Sequence, residues 1–255
     1  MRHFTWEIGR AVALGLLALC MALPRPGQAD DVLRFSTGMI DPWTNAAGTG
    51  FHQLLIREML TKLGRAGELE VIPASSRGIK LADDGIIDGL TGRVAGLERE
   101  YPNLIAVPER MFVNDFVACT LPGGKPPADW AATAPFSVAY VIGWQIFEHN
   151  LPPVRQLTTV KDSAHLLGLL RAGRVELILH ERWQILWLAR ELNIALVCAE
   201  PPLAKVPMFI YLNRRHASMV PALADILRRM KSDGSYEAIA SRVFGGLGAS
   251  VTGLQ

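Results

Sequence analysis

The sequence lacks the short motifs that mark the common catalytic and nucleotide-binding sites. It has no GxSxG nucleophile elbow, no HExxH zinc motif, no Walker A lysine and no GxGxxG dinucleotide fingerprint. Its six histidines are scattered, and it has no CxxC pair or Cys/His cluster. The usual signals for hydrolytic, nucleotide-dependent, metal-dependent and redox chemistry are therefore missing. We expect no catalytic residue, no metal and no cofactor.

Cysteine is scarce, with three residues in 255. Cys20 follows Leu19 where a lipoprotein signal would carry a small residue, so this alternative has little support. Cys119 and Cys198 lie far apart in the chain. An oxidising compartment would permit a disulfide between them, and two unpaired buried thiols are an equal alternative.

Long apolar runs are also missing, except near the N-terminus. Arg2 and Arg10 precede the apolar stretch Ala11–Leu23, and small residues follow up to Ala29. This pattern predicts a signal peptide of residues 1–29, cleaved after Ala29. The apolar stretch is shorter than the roughly 20 residues that cross a bilayer. We therefore expect an exported, soluble mature protein.

The mature chain has no excess of positive or of negative charge. Residues 1–29 hold three of the 26 basic and one of the 24 acidic residues, so removing them leaves a formal net charge of zero. A neutral chain gives no electrostatic reason to expect nucleic acid or an anionic membrane as a partner.

What the sequence does contain is a helix–glycine–strand unit in Ser76–Arg99. The pattern predicts a short helix that ends at Gly85 and an apolar strand from Ile86 to Leu90. Ligands of open α/β sheets bind beyond the carboxyl ends of strands. Arg93 is therefore a candidate ligand-binding residue, and a surface arginine in an exposed ion pair is the alternative.

A second unit of this kind spans residues 169–181, with Gly173 before the strand, and a helix is predicted after it from Glu181 to Leu192. The two units indicate two similar α/β lobes facing one cleft. His180 and Glu181 lie at the second strand's carboxyl end. A glutamate there is also favoured by the helix dipole alone, which is the structural alternative.

Other stretches complete the predicted organisation. Trp43 lies in a loop after the first strand, where it either walls a ligand or packs on the loop. An apolar strand at residues 112–120 is followed by LPGGKPP, which is typical of a hinge or boundary. The glycine-rich tail from Gly245 is expected to be disordered.

Four stretches together resemble the family 3 bacterial extracellular solute-binding proteins, the periplasmic amino-acid-binding type, in a divergent branch. They are GTGFHQLLIREMLTKLG, LADDGIIDGLTGRVAGLER, GRVELILHERWQIL and LADILRRMKSDGSYEAIASRV. The resemblance implies the type II periplasmic binding protein fold: two α/β lobes, each a mostly parallel sheet flanked by helices, joined by two hinge crossovers. It implies lobe 1 in residues 30–119 with 208–247, lobe 2 in 120–207, and a tail in 248–255.

The resemblance also implies ligand-binding residues. Arg99 matches the arginine that grips the ligand carboxylate, Glu181 the acid that holds the ammonium, and His180 its neighbour. Trp43 and Trp144 fall near loops that wall the ligand. TGRVAG replaces the usual run after the DG strand, so Arg93 is a second candidate for the anchor.

The implied function is capture of a small polar ligand, an amino acid or related carboxylate, by a monomer that delivers it to an ABC-type permease. A ligand-sensing partner of a membrane receptor would carry the same site. A third hypothesis is a periplasmic enzyme similar to cyclohexadienyl dehydratases, with His180 or Glu181 as the general acid.

Overall fold

The computed structural model describes residues 32–72 and 75–255, so the predicted signal peptide lies outside the described residues. The strands in chain order are β1 (Leu33–Thr37), β2 (Gly67–Val71), β3 (Gly89–Arg93), β4 (Leu104–Ala106), β5 (Phe112–Thr120), β6 (Ser137–Val141), β7 (Gln156–Val160), β8 (Leu177–Glu181), β9 (Val197–Cys198) and β10 (Ala204–Asn213). The helices are α1 (Phe51–Lys62), α2 (Ser75–Asp83), α3 (Gln145–Asn150), α4 (Ser163–Arg171), α5 (Arg182–Glu191), α6 (Val220–Ser232) and α7 (Ser235–Phe244).

The strands form one mixed sheet in the order β2-β1-β3-β10-β5-β8-β6-β7. β1 pairs in parallel with β2 and β3, and β6 pairs in parallel with β7 and β8. We call β1–β4 the first half-sheet and β6–β9 the second half-sheet. The long strands β5 and β10 run antiparallel to each other and join the two. This is the architecture expected of two α/β lobes connected by two crossovers.

Both helix–glycine–strand units are present, and the first differs from its prediction in where the strand begins. Gly85 follows α2 with φ +71° and Gly173 follows α4 with φ +64°, the left-handed backbone that glycine adopts without strain. The first strand starts later than its apolar run suggested: β3 begins at Gly89, and the Ile86 side chain is 50% exposed. Thr91 and Gly92 are therefore part of β3, and Arg93 is its last residue.

The C-terminal tail is ordered, which corrects the expected disorder. Val251–Leu254 form a 3-10 turn, and the Leu254 side chain is buried in the core of the first half-sheet. The hydroxyl of Tyr236 donates to the carbonyl oxygens of Met111 (2.9 Å) and Leu254 (3.4 Å). The tail therefore covers the buried side of α7.

Cys119 and Cys198 form a disulfide, which settles the alternative that the sequence left open. The two residues lie directly opposite each other in the β5–β9 pair. Cys119 is fully buried in the core of the second half-sheet.

Within the described residues, no helix combines the length and apolar character that a membrane crossing needs.

Candidate ligand-binding cleft

A cleft of about 360 Å³ lies where the carboxyl ends of strands from both half-sheets meet. One wall follows β1 and β3 and includes Met39 and Arg93. The opposite wall follows β6 and β8 and includes Trp144 and Glu181. Because parallel strands present their carboxyl ends at one edge, these side chains face a common space.

Arg93 supplies the cleft with a cationic side chain that is only 9% exposed. Burial lowers the pKa of its guanidinium to about 10, so the group stays charged at neutral pH. The guanidinium lies beside the backbone of α2: a Cβ built on Gly78 would be 3.6 Å from Arg93 Nη2. β3 and the first turns of α2 therefore hold this charge at the cleft.

Gly92 precedes Arg93 in β3 and lines the cleft, and the buried His52 packs against it. Gly92 has φ +65°, and a Cβ at this position would lie 2.7 Å from His52 Cε1. The buried imidazole of His52 shares a 3.0 Å hydrogen bond between Nδ1 and Thr91 Oγ1. Burial and the charge of Arg93 lower the pKa of His52 to about 3, so His52 is neutral.

Asn114 lines the cleft from β5 and is not among the residues predicted from the sequence. Its side chain is 3% exposed, and Oδ1 has no hydrogen-bond partner among the described residues. Asn114 is part of a polar pair, Asn114–Asp115, inside the otherwise apolar strand FVNDFVACT. That interruption is the signal that could have identified it. Gln145 and Gln184 also line the cleft and were not predicted.

Glu181 is the last residue of β8 and the N-cap of α5, and its side chain is fully buried. Oε1 accepts from the backbone N–H of Trp183 (2.9 Å), and Oε2 accepts from that of Gln184 (2.8 Å). Oε2 also accepts from Trp43 Nε1 (3.0 Å). Desolvation raises the pKa of Glu181 to about 7, although the hydrogen bonds oppose this change.

His180 and Trp144 lie next to Glu181. His180 Nδ1 donates to the carbonyl oxygen of Glu181 (3.0 Å), which leaves Nε2 to accept from the Ser163 hydroxyl (2.7 Å). Burial lowers the pKa of His180 to about 4, so its ring is neutral. The half-buried Trp144 covers His180, with ring centroids 4.7 Å apart, and lines the cleft.

Three residues that the resemblance implied do not line the cleft: Trp43, His180 and Arg99. Trp43 has no exposed surface; it stacks on Phe112 with centroids 4.2 Å apart and supports Glu181 from behind. Arg99 is exposed in the 3-10 turn Leu97–Arg99, beyond the end of β3. The structure thus brings Arg93, Trp144 and Glu181 together at the cleft, with His180 and Trp43 packed behind its wall.

Comparison with known proteins shows the fold. No family model matches the sequence. An uncharacterized protein of Shewanella oneidensis (strain MR-1) is 24% identical over 198 residues, which cover 72% of each chain.

Three solved structures align over 84% of this chain. The substrate-binding protein of an amino acid ABC transporter aligns over 99% of its own chain (TM-score 0.61, 16% identity). A histidine kinase sensor domain with similarity to periplasmic binding proteins aligns over 96% (TM-score 0.64, 17% identity). The ancestral amino acid-binding protein AncCDT-1, a precursor of cyclohexadienyl dehydratase, aligns over 95% (TM-score 0.63, 19% identity). At these identities the likeness establishes the fold alone: this chain has the two-lobed periplasmic binding protein fold.

Proposed function

We propose that the protein is a periplasmic solute-binding protein that captures a small polar ligand, an amino acid or related carboxylate, between its two lobes. One observation carries the proposal. The buried guanidinium of Arg93 ends a strand of the first half-sheet and faces a cleft whose other wall belongs to the second half-sheet. A buried arginine presents a planar set of donors that matches a carboxylate in bidentate geometry.

Closure of the lobes around the ligand would complete the site. The proposed lobes are residues 30–119 with 208–247, and 120–207. β5 and β10 are the connections about which the lobes would move. Trp144, Gln145 and Ile146 follow β6 on the second wall, so closure would bring them onto a ligand held by Arg93.

Export to the periplasm is supported by two features. Residues 1–29 have the pattern of a signal peptide. The Cys119–Cys198 disulfide is typical of an oxidising compartment. In that compartment the proposed partner is an ABC-type membrane permease, to which a monomer delivers the ligand. The similarity to a transporter's substrate-binding protein supports this role.

A ligand-sensing partner of a membrane receptor is a second candidate, favoured by the similarity to a histidine kinase sensor domain. The two roles share the site and differ in the partner. Affinity purification of the protein from its native membrane, with and without ligand, distinguishes them: a permease subunit supports transport, and a receptor kinase supports sensing.

Calorimetry of the purified protein against amino acids and small carboxylates tests the binding function. We expect one ligand class to bind, and Arg93→Ala to weaken that binding about 100-fold, since truncating one partner of a buried charge pair costs about 2–5 kcal/mol. Arg99→Ala is the matched control, because Arg99 is exposed and outside the cleft, and should change affinity less than about twofold. Equal losses in both variants would contradict Arg93 as the anchor.

A further inference from the structure

The described residues that line the cleft include two ionisable side chains, Arg93 and Glu181. Arg93 is charged at neutral pH, and Glu181 is the one acidic residue among the described cleft-lining residues. The neighbouring acid, Asp115, points its Oδ2 at Arg182 Nε (3.2 Å) and is not part of the lining. A ligand ammonium would therefore depend on Glu181 for its opposite charge.

Glu181 is poorly placed to serve an ammonium. Its carboxyl is fully buried and already accepts hydrogen bonds from Trp43, Trp183 and Gln184. Exposing it would unpair the buried amide of Trp183, the buried indole of Trp43 and the part-buried amide of Gln184. Its raised pKa also leaves the group only partly charged at neutral pH. An ammonium in the cleft would lose its hydration near the Arg93 charge without gaining a free carboxylate.

Asn114 offers a different kind of contact. Its side chain is almost completely buried in the cleft wall, and Oδ1 has no partner among the described residues. A neutral amide oxygen accepts a hydrogen bond from a single uncharged donor such as a hydroxyl. An ammonium carries several N–H groups and a charge, which one amide oxygen leaves largely unsatisfied.

We infer that the ligand is a carboxylate that carries a neutral hydrogen-bond donor, such as a hydroxyl, where an amino acid carries its ammonium. The carboxylate binds Arg93 and the donor binds Asn114 Oδ1. The apolar part of the ligand packs against Phe116, Trp144 and Met208, which line the same cleft. This inference rests on the proposed function, since it specifies the ligand of the same site.

The test is calorimetry at pH 7 with matched series of 2-hydroxy acids, α-amino acids and unsubstituted acids that share side chains. The side chains should run in size from methyl to indolylmethyl. We expect a 2-hydroxy acid to bind at least about 10-fold more tightly than both its amino and its unsubstituted counterpart, the gain of satisfying a buried acceptor. A tighter amino acid would overturn the inference and leave the proposed function intact. If no member of any series binds, the proposed function fails as well.

Two substitutions test the role of Asn114. Asn114→Leu keeps the side-chain shape and should remove the preference for the hydroxy acid over the unsubstituted acid. Asn114→Asp adds a carboxylate at this position and should shift the preference at least about 10-fold toward amino acids, because an ammonium then has an opposite charge. Circular dichroism checks that each variant folds. If one variant does not fold, the other is enough to test the role of Asn114. Unchanged preferences in a folded variant would show that Asn114 does not contact the ligand.

Discussion

At the scale of single residues, the cleft depends on how closely backbone and side chains approach each other. Gly92 is the clearest case, because its backbone has a positive φ and its missing side chain leaves room for the His52 ring. The same strand then ends in Arg93, six residues before the exposed Arg99. Which arginine meets the cleft is decided by where β3 ends.

The first prediction concerns Gly92→Ala. The left-handed backbone costs alanine about 1–2 kcal/mol, and overpacking against the rigid His52 ring adds about 1–3 kcal/mol. Chemical denaturation should therefore show a loss of about 2–5 kcal/mol. Gly173→Ala is the control, since Gly173 has φ +64° but nothing within 4 Å of a built Cβ, and should show only the backbone cost. Equal losses in the two variants would mean that the contact with His52 is unimportant.

At the scale of elements, α5 is attached to the first half-sheet as well as to its own. Trp183, near the start of α5, is buried in the core that contains β1, α1 and α7, and its ring lies 4.7 Å from that of Phe244. The Trp43–Glu181 hydrogen bond joins the loop after β1 to the same helix start. The cleft wall at Glu181 is therefore held from both half-sheets.

The second prediction tests this attachment with Trp43→Phe. Phenylalanine keeps an aromatic ring against Phe112 but removes the indole donor, so Glu181 loses a buried partner. We expect a loss of about 1–3 kcal/mol and faster hydrogen exchange of the Trp183 and Gln184 amides, which Glu181 caps. Trp187→Phe is the control, because the Trp187 indole makes no hydrogen bond within the described part of the chain. Unchanged exchange in Trp43→Phe would argue that the cap does not need the indole.

At the scale of the whole molecule, three buried titratable groups shape the dependence of stability on pH. The pKa values of His52 and His180 are lowered to about 3 and about 4 in the folded state. As the pH falls below about 6.5, both histidines are therefore protonated in the unfolded chain while they stay neutral in the folded protein. Each histidine therefore removes stability on acidification. Glu181 has the opposite effect. Its pKa is raised from 4.5 to about 7, so the folded state binds the proton before the unfolded chain does. Its contribution to stability therefore grows as the pH falls from about 7 to 4.5.

The third prediction follows for Glu181→Gln. Glutamine does not titrate, so the variant should lose stability more steeply than the wild type between pH 7 and 4.5. A raised pKa corresponds to about 1.4 kcal/mol per unit, so the difference in slope should accumulate to roughly 3 kcal/mol over this window. Denaturation series at several pH values measure it, and His52→Gln is a control that should become less sensitive to acid. Parallel curves for wild type and Glu181→Gln would contradict a raised pKa.

The fourth prediction concerns the disulfide. Cys119 and Cys198 are separated by 79 positions, and the cross-link encloses almost the whole second half-sheet. A loop of this length lowers the entropy of the unfolded chain by an amount worth about 4–5 kcal/mol. Reduction should therefore lower the free energy of unfolding by several kcal/mol. The double variant Cys119→Ser/Cys198→Ser should be equally destabilised and insensitive to reductant; a stable reduced protein would contradict the estimate.

Much of the fold could be predicted because its signals are local. The periodicity of α1, the left-handed glycines after α2 and α4, and the order of α6, turn and α7 each depend on a few neighbouring residues. The start of β3 and the order of the tail were predicted wrongly. Ile86 is apolar yet exposed, and Leu254 is buried only because α7 and the Met111 region provide a surface for it.

The candidate site also combines features that could be predicted from the sequence with features that depend on the tertiary structure. Short stretches by themselves determined that Arg93 and Glu181 stand at strand ends, since an apolar run, a glycine and a polar residue are read from neighbouring positions. Only the tertiary structure decided that Trp43 donates to Glu181 across 138 positions, that Arg99 is exposed outside the cleft and that Asn114 lines it. The physical reason is that burial and hydrogen-bond partners arise when distant segments pack together.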